Sequence, residues 1–285
     1  MASEDRDQLL VHLKRLQLRY AANHLDDLLR DAGRLKLGHL GFLARVIEDE
    51  VLARTETATN RRIREAHFPE LHRIEDYDFK IQPSLDRKGI LDLAELGFVD
   101  RCEAVFFLGP SGVGKSHLST GLGVRACAAG YRVLYDRAYD MLKDLLAAMA
   151  DGTFDDLLDY YCRPDVLIVD EIGNHPANPA VPECSFAGVF YELIHQRYRH
   201  GSTILASNLG VNGWAEVLGT PALVATALDR LLEGAHIIAF PPDAPSYRAN
   251  RDAGPGPLPR RPRARRRREP RITLARSRST KTPKA

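Results

Sequence analysis

Apolar and polar positions follow two rhythms along this chain. In the first part the period is helical: Leu9, Leu13, Leu16 and Tyr20 fall at i, i+4, i+7 and i+11, one apolar face of a helix over about 8–20. Helices are also expected over about 23–31 and 40–54, the second with Leu40, Leu43, Ile47 and Val51 along one side. Together they predict a small all-helical domain over residues 1–70. From Val105 the rhythm changes to short apolar runs separated by helix-length segments. Runs at 105–108, 133–135, 166–169, 204–206 and 236–240 read as strands, with helices over about 115–128, 139–149, 154–161, 184–199 and 222–232. Gly130 is placed to stop the first of these helices and Gly201 the fourth. Such alternation predicts an α/β domain over 99–250, a five-stranded parallel sheet covered by helices on both faces.

Between the two rhythms, residues 71–98 read as a linker, with Glu75, Asp76, Tyr77, Asp78, Phe79 and Pro83, ending in a short helix around 90–96. After Phe240, prolines at 241, 242, 245, 255, 257, 259 and 262 interrupt any period, and the run PRRPRARRRREPR follows. A segment of that composition buries too little apolar area to offset its ordering entropy, so 251–285 is expected to be a disordered basic tail. Three readings of it stand open: a basic arm on DNA, a solubilising tail, or a non-native end of the reading frame.

Charge sharpens the division. The formal net charge of the 285 residues is +2, yet residues 258–285 hold twelve Lys or Arg and one acid, which leaves the remainder at −9. The segment from Arg54 to Arg73 adds Arg61, Arg62 and Arg64, which gives either a basic face toward nucleic acid or an ordinary solvated helix face. The four cysteines, at 102, 127, 162 and 184, form no C-x-x-C pair and read as reduced core or near-core thiols. With no apolar run of membrane length and a polar, acidic start, neither a membrane span nor a secretory signal is indicated, and a cytoplasmic location is expected.

The first strand runs directly into Gly109-Pro110-Ser111-Gly112-Val113-Gly114-Lys115-Ser116, a full match to G-x-x-x-x-G-K-[ST], followed by His117 and a helix. A triphosphate needs many donors at once, so the backbone must curl until successive N–H groups point inward, and the glycines allow that curl. Lys115 is placed to reach the β- and γ-phosphates of ATP, and the Ser116 hydroxyl to ligate Mg²⁺. The third strand, VLIVDE, ends in Asp170 and Glu171. An acid there is delivered to the carboxyl edge of a parallel sheet, beside the loop. Asp170 would hold Mg²⁺ and Glu171 would orient and polarise the attacking water, which favours an NTPase over a small-molecule kinase. Asn208, after the fourth strand, is either a sensor of the γ-phosphate or a turn-forming residue. Arg230, near the end of a helix before the last strand, is either a cation aimed at a neighbouring subunit's nucleotide or a surface salt bridge. Trp214 reads as a packing anchor, and Tyr247 and Arg248 carry weaker signals.

These residues together resemble the IstB-like ATP-binding family, helper ATPases of insertion-sequence transposition related to the DnaC-type helicase loaders within the AAA+ class. The resemblance covers about residues 8–250 and rests on LKRLQL, NRRIREAHFPE, EDYDF, LDR (85–87), GPSGVGKSHL, AGYRV, RPDVLIVDEIG, TILASNL with Trp214, ALDRLLEGAHII and SYR (246–248). It implies an AAA+ P-loop NTPase that hydrolyses ATP with Mg²⁺, forms a homo-oligomer, binds double-stranded DNA largely without sequence preference and helps a cognate transposase engage its target. Residue by residue it carries nucleotide binding to 109–117, Mg²⁺ to Ser116 and Asp170, hydrolysis to Glu171, the sensor role to Asn208 and the trans-acting finger to Arg230. The helical domain is implied in self-assembly and DNA contacts. Two departures are visible: IGNHPANPAVPECSF stands where relatives have an apolar, tyrosine-containing turn, and no room remains after Phe240 for a C-terminal helical lid, which puts a second-sensor role of Arg248 in doubt. The alternative function is a DnaC-like helicase loader, which would capture a helicase and not a transposase.

Overall fold

All five apolar runs form strands, and every pair of them is parallel. The computed structural model describes residues 2–174 and 186–247. Most of the proline-rich departure, Cys184, Arg248 and the expected basic tail lie outside the described residues. Strands β1 (Ala104–Leu108), β2 (Val133–Arg137), β3 (Val166–Ile172), β4 (Ser202–Ser207) and β5 (His236–Ala239) stand in the order β2-β3-β4-β1-β5. The central strands are covered on both faces, which is why they read as unbroken apolar runs. At the edge, β5 alternates between half-buried and exposed positions.

Helices α1 (Ala2–Arg15), α2 (Arg19–Asn23), α3 (Leu25–Leu35) and α4 (His39–Glu65) precede the sheet, and α5 (Arg87–Leu93) and α6 (Gly97–Asp100) lead into it. Between and beyond the strands come α7 (Lys115–Ala129), α8 (Ala138–Asp151), α9 (Phe154–Cys162), α10 (Phe186–Arg197), α11 (Trp214–Leu218) and α12 (Pro221–Leu232). Successive residues of a strand point to opposite faces, and β1 shows it: Val105 and Phe107 pack with α7 and the lead-in, whereas Phe106 packs with α8, α10 and Trp214. The result is a two-faced α/β sandwich with a parallel five-stranded sheet, preceded by helices. Among the described residues no helix is long and apolar enough to cross a membrane. Cys127 is buried and Cys102 and Cys162 partly so, all three free thiols.

The helical lead-in departs from its sequence pattern in three ways. The helix expected over 8–20 ends at Arg15, because Gln17 adopts a left-handed φ of 58° and Tyr20 begins anew on α2. The helix expected over 40–54 continues to Glu65, and its last turns dock on the sheet: the Arg62 guanidinium donates to Cys127 O, and Tyr135 N–H of the edge strand donates to Ala66 O at 2.8 Å. The apolar side of α4 that the pattern assigns to one face is open, with Leu40, Leu43, Ile47 and Val51 all exposed. What ties the front of α4 to α2 is instead the buried Glu50 carboxylate, which accepts from Ala21 N–H at 3.1 Å and from Arg54 at 2.9 Å.

Gly130 stops α7 as expected, with φ of 109° and its N–H returned to Ala126 and Cys127 carbonyls. Gly201 does something else. The helix before it ends at Arg197, and a Cβ on Gly201 would meet Arg197 Nη2 at 2.8 Å, so the glycine makes room for a buried guanidinium. Arg197 is 2% exposed and has no carboxylate partner among the described residues; it donates to the carbonyls of Tyr161, Cys162, Pro164 and Ser202 and to Thr203 Oγ1. Burial pushes its pKa down to about 10. The side chain thus clamps the entry to β3 and the entry to β4 together. Replacing it, Arg197→Met, orphans several buried carbonyls at once and is expected to lower unfolding free energy by about 3 kcal/mol, measured by urea titration; a change under about 1 kcal/mol would remove the clamp from the account.

Candidate nucleotide-binding site

The sheet order sets the site. Because β1 lies beside β4, and β4 beside β3, the carboxyl ends of all three open on one edge, where Gly109–Ser116 follow β1, Asn208 follows β4 and Asp170–Glu171 stand in the last residues of β3. The loop turns through left-handed φ values at Gly109, Gly112 and Gly114 of 150°, 85° and 105°, and α7 begins at Lys115, so its unpaired N–H groups face the concavity. The outer side of the curl is packed. A Cβ would lie 2.5 Å from Phe240 Cβ at Gly109, 2.7 Å from Ser246 Oγ at Gly112 and 2.6 Å from the Tyr77 ring at Gly114. These glycines therefore serve the protein's own close packing as well as any phosphate. Tyr77 donates its hydroxyl to Val113 O at 3.0 Å, and Tyr247 N–H donates to Gly112 O at 2.7 Å.

Lys115 is buried, and its ammonium donates to Gly109 O, Pro110 O and Asn208 Oδ1, each at 2.7 Å. This joins the loop lysine to the residue after β4. Asn208 is held in place from behind, because Ser207 Oγ accepts from Trp214 Nε1 at 3.1 Å and Leu209 N–H at 3.0 Å while donating to Ile172 O at 2.8 Å. Trp214, fully buried, is thus a packing anchor whose indole also positions the turn.

Asp170 is 2% exposed, one oxygen accepting from Tyr135 OH at 2.8 Å and the other from Glu171 N–H at 2.8 Å. Burial and the Asp170 charge push the Tyr135 phenol well above its ordinary range, so it stays a donor. At Glu171 the ladder with β4 slips by one, and the backbone takes φ of 61°, an unfavourable value for a residue with a side chain. The carboxylate points far enough out to sit 3.6 Å from Arg137 Nε, an ion pair that is half exposed and so weak. Tyr135 and Arg137 went unnoticed in the sequence, since only the pairing of β2 with β3 brings Arg137 opposite Asp170.

Two expected site residues lie elsewhere. The His117 ring stacks on His72 at 4.3 Å, meets Tyr77 and Tyr247 edge-on and bonds to Arg73 O, so its side chain belongs to the lead-in contact. Arg230 shares a cavity with Ala104, Gly201 and Thr203, residues at the starts of strands, so it sits at the opposite sheet edge from the loop of its own chain. A five-residue strand separates the edges by roughly 17 Å at about 3.3 Å per residue. Its guanidinium lies 5.0 Å over the Tyr191 ring, and Nη1 is buried without a partner among the described residues. Among the described residues it makes no salt bridge.

Mg²⁺ needs few protein ligands when a triphosphate supplies the others, and the donor set fits: a hydroxyl at Ser116 and a buried, acceptor-only carboxylate at Asp170. Among the described residues no cluster of three His, Cys, Asp or Glu could hold a metal alone.

Several known proteins resemble this chain. A protein of Pseudomonas aeruginosa named for insertion sequence IS21 and for ATP binding is 35% identical over 247 residues, 87% of this chain and 91% of that protein. A protein of Bacillus thuringiensis subsp. berliner named likewise for IS232 is 32% identical over 82% of this chain and 91% of its own length. Solved structures with a similar backbone include AMPPCP-bound DnaA from Aquifex aeolicus, 20% identical over 61% of this chain and 51% of that one with a TM-score of 0.49, and the DnaC helicase loader, 20% identical over 53% and 86% with a TM-score of 0.44. The family described as IstB-like ATP binding protein matches residues 11–253, which takes in the lead-in helices, the phosphate loop, the acid pair and the Arg230 helix together. The chain belongs to the IstB-like ATP-binding protein family.

Proposed function

We propose that this chain is a Mg²⁺-dependent ATPase that assembles as a homo-oligomer on double-stranded DNA in the cytoplasm and serves a cognate transposase. What carries the ATPase half is the meeting of Lys115 and Asn208 with Asp170 and Glu171 at one sheet edge. Membership of the family and the insertion-sequence names of the relatives support the other half.

The chain's own groups have distinct tasks. Loop N–H groups and the start of α7 hold the phosphates, and Lys115 exchanges the carbonyls of Gly109 and Pro110 for the β- and γ-phosphate oxygens. Ser116 and Asp170 would hold Mg²⁺, which would supply charge neutralisation to the phosphates. Once Lys115 turns to phosphate, Asn208 Oδ1 is released and its amide can report on the γ-phosphate or the attacking water. Glu171 leaves the weak contact with Arg137 to orient and polarise that water. Arg230, far from its own loop, is suited to the nucleotide of an adjoining copy. Residues 1–70 are proposed to serve assembly and DNA contacts, 71–98 to link them to the ATP-binding domain of 99–250, and α4 offers an exposed apolar side together with exposed Arg61 and Arg64.

ATP turnover measured with and without duplex DNA at two salt concentrations tests the whole reading. DNA-stimulated turnover that weakens at higher salt is expected, and turnover indifferent to DNA would sink the assembly-on-DNA part. Lys115→Ala should weaken ATP binding by roughly 100-fold or more, since several charge-assisted bonds go at once. Glu171→Gln should keep ATP affinity while kcat falls by about 10²–10⁴, and normal turnover in that variant would remove Glu171 from the mechanism. For Arg230, mixing Arg230→Ala with Lys115→Ala protein should restore part of the activity that each lacks alone, because mixed contacts pair an intact finger with an intact loop. No recovery at any ratio would count against action between copies.

A further inference from the structure

Arg230 is held by its face. Its guanidinium carbon lies 5.0 Å from the centre of the Tyr191 ring, and its Nη1 meets no acceptor among the described residues. Glu233, the carboxylate at i+3 that would ordinarily pair with it, is engaged elsewhere: it accepts from Tyr198 OH and, at 2.8 Å, from Arg199 Nη2. A guanidinium is flat, with its donors in the plane and its faces bare, so stacking on a ring orients it without using any of those donors. A carboxylate partner would orient it too, but would occupy the fork.

The ring is itself anchored. Tyr191 is half-buried on α10 and packs against the apolar cluster that includes Phe190, Trp214 and Leu231, and the His195 ring, one turn on, lies parallel to it at 5.8 Å. The helix that carries Arg230, α12, packs on α10, and the Glu233 contacts tie the end of one to the end of the other. Cation and ring therefore sit on one packed pair of helices. A free arginine side chain samples many rotamers, and a contact that narrows them beforehand lowers the cost of ordering when an anion arrives.

We propose that Tyr191 is a positioning residue for Arg230: it holds the guanidinium by one face and leaves the in-plane donors for the phosphate oxygens of the nucleotide on an adjoining copy. Tyr191 acts through Arg230 and touches no nucleotide itself. Its removal slows turnover while the chain's own loop keeps its ATP. The proposal rests on the action of Arg230 between copies, and the experiment separates the two.

ATP turnover of the full chain on duplex DNA is measured for the unaltered protein, Tyr191→Leu, Tyr191→Phe, Arg230→Ala and the double variant. Tyr191→Leu is expected to lower kcat about three- to tenfold with ATP affinity unchanged, whereas Tyr191→Phe, which keeps the aromatic face, stays within about twofold. The double variant should be no slower than Arg230→Ala. Mixing supplies a readout that a merely structural role would not move. Turnover of Tyr191→Leu should rise when Lys115→Ala protein is added, because that protein brings an intact finger, and should not rise with Arg230→Ala protein, which brings none. Arg230→Ala turning over at the unaltered rate would remove the action between copies and this proposal with it. A slow Arg230→Ala beside an unaltered Tyr191→Leu would overturn this proposal alone, as would equal losses in Tyr191→Leu and Tyr191→Phe. Should Tyr191→Leu not fold, Tyr191→Phe carrying successive ring fluorines decides, since fluorine drains charge from the ring face with little change of shape. A kcat that falls with each fluorine supports the proposal, and a flat series overturns it.

Discussion

Three glycines with no room for a Cβ hold the site together. Gly109 lies against Phe240, Gly112 against Ser246 and Gly114 against Tyr77, so the curl that turns backbone N–H groups inward also seats two distant segments on its outside. The lead-in and the strap lie more than 160 residues apart in sequence, yet Asp78 N–H and Tyr247 OH join them directly. A Cβ at Gly109 would push against Phe240, at Gly114 against the Tyr77 ring and at Gly112 against the Ser246 hydroxyl, each while straining φ, so the loop, its lead-in and its strap are packed as a unit.

Electrostatics at the carboxyl edge follow from the same confinement. A buried ammonium is costly without acceptors, and Lys115 meets this with the loop's own carbonyls and Asn208. A buried carboxylate has the mirror-image need, met at Asp170 by a phenol and a backbone N–H. Between them Glu171 is left half exposed on a strained backbone, with a screened contact to Arg137 among the described residues.

How much of this the sequence disclosed depended on the range of the interaction. Strands buried on both faces write themselves as apolar runs, and the loop spells its own chemistry, so the sheet, Lys115, Ser116 and Asp170–Glu171 were legible. Gly130 was legible too, because a helix stop is local. Gly201 looked the same and was not, since its role is to clear space for Arg197, whose five partners come from two other segments. Tyr135 and Arg137 were hidden until strand order placed β2 beside β3, and the front of α4 kept its apolar side open because its tie to α2 is a buried carboxylate and not that stripe.

The placement of Arg230 constrains any assembly in which it works. Loop and acid pair open on one sheet edge, while the guanidinium sits at the other among the starts of β1 and β4, about a strand length away. One chain cannot close that distance on itself without dismantling its sheet. A cation on the far edge reaches a phosphate only where the far edge of one copy meets the near edge of another, and a head-to-tail contact does this. Contacts of that kind are heterologous, and repeated rotation either closes them into a ring or continues them as a helical filament. A twofold dimer meets the same constraint only if its patch spans both edges, so that each copy's guanidinium faces the other's loop.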